Sequence, residues 1–78
     1  MEDVRGALAA NLAELRKEEN LTQAEFAARF NYSDKAVSKW ERGDSLPDVV
    51  MLKTIADLYG LRVDDLLTDD VVASALAE

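Results

Sequence analysis

Residues 22–43 read TQAEFAARFNYSDKAVSKWERG, two short helices and the turn between them. Thr22 followed three residues later by Glu25 forms a capping box, in which the hydroxyl and the carboxylate each satisfy a backbone N–H left without a partner at a helix start. Ala24, Phe26, Ala27 and Phe30 are the inward candidates of this helix, which is expected to close near Arg29 or Phe30. Asn31 follows, and after glycine it is the residue best suited to a left-handed turn position. Ser33 is then the candidate N-cap of the next helix, Asp34 suits its first turn, and Gly43 is its stop signal. That second helix has two unlike sides. Ala36, Val37 and Trp40 make one apolar, while Asp34, Lys35, Ser38, Lys39 and Arg42 make the other polar. Trp40 stands three and four residues past Val37 and Ala36, which marks it as core rather than as a platform for stacking.

Outward from this pair the chain stays helical. Val4, Leu8, Leu12 and Leu15 recur at helical spacing among alanines, so a first helix is expected over Val4–Glu18. Asn20 is placed to end it in left-handed geometry, and Leu21 turns inward. Downstream, Pro47 and Asp48 are expected to open a fourth helix whose apolar face is Val49, Leu52, Ile55, Ala56 and Tyr59, with Gly60 as its stop. A short fifth helix over residues 63–67 adds Val63, Leu66 and Leu67. Residues 68–78, TDDVVASALAE, are either a short extra helix capped by Thr68 or a frayed extension that begins a linker. Period-two alternation is missing, so the class is all-α, one domain over residues 1–67.

Composition narrows the chemistry. The 78 residues contain neither cysteine nor histidine. That removes disulfides, thiolate metal sites and the ordinary nucleophile-and-base pairs, so neither an enzyme nor a cofactor is expected. Asp64, Asp65, Asp69 and Asp70 lack the spacing and turn glycine of a calcium loop. No apolar run approaches the roughly 18 residues that span a bilayer, and the start MEDVRGALAANLAEL is unlike a signal peptide, which together fit a cytoplasmic protein without membrane contact. The net charge of -7 argues against a nucleic-acid partner. Its distribution weakens that objection: residues 1–45 carry seven Lys/Arg and nine Asp/Glu, residues 46–78 two and seven. Contact energy depends on the cations that reach phosphates, not on the global sum.

Two short helices joined by a tight turn, the second exposed along one side, describe a helix-turn-helix. LTQAEFAARFNYSDKAVSKWERGDSLPD, followed by LKTIADLYGLRVDDLL, resembles the lambda-repressor/Cro-like, or XRE-type, family of bacterial and phage regulators over roughly residues 8–67. The resemblance implies a five-helix lambda-repressor-like DNA-binding domain that acts as a sequence-specific transcriptional regulator, a repressor in many members, with the helix over residues 33–42 in the major groove. It implies base contacts from Asp34, Lys35 and Lys39 and phosphate contacts from Gln23 and Arg42, with Ser33 and Ser38 placed to join them. Glu41 is expected to pair with Arg16, leaving Arg16, Glu41 and Trp40 as structural residues. Asp34 keeps a second reading as a helix-dipole residue, and Thr22 and Ser33 are caps before they are ligands.

Two departures stand out. Arg62 replaces the usual cap of the fifth helix. The loop after Gly43 holds Asp44 and Asp48 without a cation, so phosphate binding there would fall to backbone N–H groups at the start of the fourth helix. The partner implied is double-stranded DNA, bound by a homodimer through Val71, Val72 and Leu76 or through a region outside this chain. The competing reading is a protein-interaction module of the same fold, of antitoxin, antirepressor or coactivator type, docking a basic partner.

Overall fold

The computed structural model describes residues 3–69, and these form five helices in the order α1 (Val4–Glu18), α2 (Gln23–Arg29), α3 (Asp34–Arg42), α4 (Val49–Leu58) and α5 (Val63–Leu66). Among the described residues there is no strand. Residues 70–78, and with them Val71, Val72 and Leu76, lie outside the described residues.

Each boundary has a local cause. Asp3 Oδ1 accepts the Gly6 N–H at 2.9 Å to start α1. Thr22 and Glu25 exchange both bonds of the capping box, at 3.1 and 2.8 Å. Ser33 Oγ accepts the Ala36 N–H at 3.2 Å, and Asp48 Oδ1 accepts the Met51 N–H at 2.8 Å. Four turns pass through left-handed backbone, at Asn20 (φ 58), Asn31 (φ 63), Gly43 (φ 76) and Gly60 (φ 68). Asparagine and glycine are the residues that enter this region at least cost.

The core draws on all five helices: Leu8, Leu12 and Leu15 from α1, Phe26 and Ala27 from α2, Val37 and Trp40 from α3, Met51, Ile55 and Ala56 from α4, and Leu66 from α5. Helix α3 packs against both α2 and α1, while α5 closes the far end against α4 and α1. The exposed residues of α3 therefore ride on a helix anchored from two directions.

Several expected core positions face solvent. Ala24 is exposed because the buried stripe of α2 runs through Phe26 and Ala27. Gln23, three and four residues before them, falls on that stripe instead. Val4 is 42% exposed at the open end of α1. Val49 is 79% exposed, because it occupies the first turn of α4 outside the face made by Met51, Leu52, Ile55 and Ala56. Pro47 precedes α4 rather than opening it and is itself buried, leaving Asp48 as the cap. Helix α5 ends at Leu66, one residue short of its expected end.

Candidate nucleic-acid interface

Helix α3 sorts its side chains by helical period. Val37 is fully buried, Trp40 is 4% exposed, and Ala36 packs against the core. Asp34, Lys35 and Lys39 are exposed on the remaining surface, and Ser38 is half-buried at its margin. Trp40 cannot stack on a base. Its ring instead meets Tyr32 edge-on, with centroids 5.2 Å apart, and the Tyr32 hydroxyl donates to Asp48 Oδ2 at 3.1 Å. That bond, followed by desolvation, raises the Tyr32 pKa above the ordinary phenol value. The turn between α2 and α3 is thereby fastened to the start of α4.

The four cations near this surface differ in their commitments. Lys35 and Lys39 form no ion pair among the described residues. Arg42 does: its Nε donates to Asp44 Oδ2 at 2.9 Å and its Nη1 to Ser38 Oγ at 3.3 Å. Arg5, from the start of α1, donates from Nη1 to the Gly43 carbonyl at 3.1 Å, supporting the negative end of the α3 dipole. Ser33 Oγ accepts its capping bond and keeps its own proton to donate.

Behind the surface lies a polar clamp. Glu41 accepts Arg16 Nε at 2.8 Å and Nη2 at 2.9 Å, and Arg16 Nη1 reaches the Leu21 carbonyl at 2.9 Å. The side chains are 16% and 9% exposed. The bond to Glu41 raises the Arg16 pKa further against the opposing cost of burial. Gln23 joins this clamp, its Nε2 donating to Glu41 Oε1 at 3.2 Å. One amide N–H of Gln23 is spent there, and the second makes no hydrogen bond among the described residues.

The start of α4 is unlike its expected role. The Asp48 carboxylate already fills the place an anion would take, capping Met51 and accepting from Tyr32, so a phosphate there would meet a like charge. At α5, Arg62 supplies no side-chain cap, but Asp65 Oδ2 accepts the Arg62 N–H at 2.9 Å and provides the reciprocal half of a box.

Sequence reasoning passed over Asn11. It is 3% exposed and donates from Nδ2 to the carbonyls of Leu66 at 2.7 Å and Thr68 at 3.0 Å, tying the end of α5 to α1. Its place three residues after Leu8 and four before Leu15, on an otherwise apolar stripe, was the available signal.

Comparison with known proteins adds three kinds of likeness. A family model described as Helix-turn-helix matches residues 12–66. The chain is 38% identical over 66 residues to the uncharacterized HTH-type transcriptional regulator y4dJ of Sinorhizobium fredii (strain NBRC 101917 / NGR234), covering 85% of this chain and 86% of that protein. It is 37% identical over 59 residues to the HTH-type transcriptional activator BcrR of Enterococcus faecalis, covering 76% of this chain but only 29% of the relative. Among solved structures, the clp gene regulator ClgR from Corynebacterium glutamicum superposes with a TM-score of 0.70 at 28% identity, covering 95% of this chain and 77% of that one.

Proposed function

The chain belongs to the helix-turn-helix family, and from that premise we propose that it is the DNA-binding domain of a transcriptional regulator that reads duplex DNA with α3. The observation that carries this reading is the pair Lys35 and Lys39, exposed and without ion pairs among the described residues, on a helix whose opposite side is locked by Val37 and Trp40. Their ammonium groups suit guanine O6 and N7, and the Asp34 carboxylate suits cytosine N4. The second Gln23 amide proton, the Ser33 hydroxyl, Ser38 and Arg42 serve the phosphates, which fixes register without reading sequence.

The charge of -7 makes a single copy a weak binder. A homodimer reading half-sites about 34 Å apart supplies the missing affinity. Residues 1–67 form the reading unit. No helix among the described residues is long and apolar enough to cross a membrane, and a regulator of this kind works in the cytoplasm, where its DNA lies.

A selection from random duplexes, scored for symmetry and half-site spacing, tests this directly. Enriched sites should show two-fold symmetry, affinity should fall with rising salt at a log–log slope near -0.9 per neutralised phosphate, and Lys35→Ala should relax preference at one base pair. Failure to enrich any site, with no chemical-shift change at Gln23, Lys35 and Lys39 on adding duplexes at low salt, would favour a module that docks a protein.

A further inference from the structure

Arg42 and Asp44 stand on either side of Gly43, at the end of the helix assigned above to the major groove. The turn that brings them together is fixed by backbone: Gly43 is left-handed (φ 76), and the Asp44 N–H donates to the Lys39 carbonyl at 2.9 Å. The Asp44 carboxylate then accepts Arg42 Nε at 2.9 Å, while Ser38 accepts Nη1 at 3.3 Å. A carboxylate and a phosphate engage a guanidinium through the same fork of donors. Lys35 and Lys39 have no such occupant among the described residues.

We propose that Asp44 takes on Arg42 the place that a DNA phosphate would take, and so sets the affinity of this domain for DNA. This rests on the DNA reading above. The two side chains are 60% and 57% exposed, so water and salt screen the pair and a phosphate can displace the carboxylate. Displacement leaves Asp44 unpaired beside the phosphate, which adds repulsion to the lost bond. Asp44 thus acts mainly through Arg42, and not as one more negative charge on an acidic surface.

Four proteins test this: wild type, Asp44→Asn, Arg42→Gln and the double variant, titrated against a fluorescein-labelled mixed-sequence duplex of about two helical turns at several salt concentrations. The backbone bond from Asp44 to Lys39 does not depend on the side chain, and thermal melts of all four should agree. Asp44→Asn should tighten binding roughly two- to tenfold, because Arg42 no longer has to leave a carboxylate to reach the phosphate. Binding by Asp44→Asn where wild type shows none is the same result. In the Arg42→Gln background the gain should largely vanish. An equal gain in both backgrounds would overturn the proposal in favour of plain charge repulsion, and so would no gain in either. Binding by none of the four would overturn the DNA reading itself, and this inference with it.

Discussion

Glu41 holds Arg16 through two parallel bonds of 2.8 and 2.9 Å, and through that fork the last turn of α3 is fastened to the end of α1. The pair is largely shielded from water, so removing one partner strands a charge. Arg16→Met should destabilise the fold by about 3 kcal/mol, near the low end for an uncompensated buried charge. Arg16→Met combined with Glu41→Leu should recover most of that loss, because an apolar pair has no charge to desolvate. Urea unfolding of the two single variants and the double variant gives the coupling, and additive losses would show that the fork contributes little.

Asn11 makes another long-range polar tie. Asn11→Ala removes the donors that satisfy the Leu66 and Thr68 carbonyls and should cost about 2 kcal/mol, the penalty for leaving a buried acceptor unpaired. The loss should appear first as faster amide exchange in α5, a helix of four residues whose last carbonyls Asn11 satisfies. Exchange that accelerates uniformly along the chain would contradict a local role.

What the sequence disclosed about this fold follows from how far apart the interacting residues lie. Thr22 with Glu25 and Ser33 with Ala36 are three residues apart, and such caps can be read from local order alone. The same holds for Gly43 and Asn31. Asn11 escaped because its acceptors lie 55 and 57 residues away. Val49 and Ala24 were misplaced because an apolar residue one step off the stripe satisfies the period almost as well as one on it. On the candidate site, the surface order of Asp34, Lys35 and Lys39 was legible from helical spacing. The partners of Gln23 and Arg42 were not, since a free side chain and one held by Glu41 or Asp44 look alike in sequence.

Asn31 occupies left-handed backbone (φ 63) in the turn before α3, and its N–H donates to the Ala28 carbonyl at 3.2 Å. Asn31→Gly should leave stability within about 0.5 kcal/mol, because relief of the left-handed strain is offset by the greater freedom of glycine in the unfolded chain. Asn31→Val should cost about 1–2 kcal/mol, since a β-branched residue clashes there. Thermal melts of the two variants distinguish the signs.

Tyr59, like Tyr32, contributes to the pH dependence at alkaline pH. Burial, and then the neighbouring Glu19 carboxylate, push its pKa from 10.0 to about 12, against Arg29, which donates to the Tyr59 hydroxyl at 3.3 Å. The folded form therefore holds its proton more tightly than the unfolded form. Stability from this group is complete below pH 10, and it falls as pH rises from 10 toward 12. Tyr59→Phe should flatten that part of the stability profile. Absorbance titration should show the Tyr59 phenol ionising well above a free tyrosine, and ionisation near 10 would refute the assignment.

Asp34 decides between reading a base and steadying a helix. It is exposed at the first position of α3, and no hydrogen bond reaches its carboxylate among the described residues. An ionised carboxylate only accepts, so among major-groove edges it favours the cytosine N4 donor. An asparagine both donates and accepts, which matches adenine N6 and N7. If Asp34 reads a base, Asp34→Asn should move the preference at one position of each half-site from cytosine to adenine, a change of about 1–3 kcal/mol in discrimination. If Asp34 only complements the helix dipole, the same substitution should lower stability by about 0.5 kcal/mol and tighten binding to all duplexes alike through the lost negative charge. Selection from random duplexes with both proteins separates these outcomes, because a uniform gain cannot move a preference and a moved preference cannot come from the dipole.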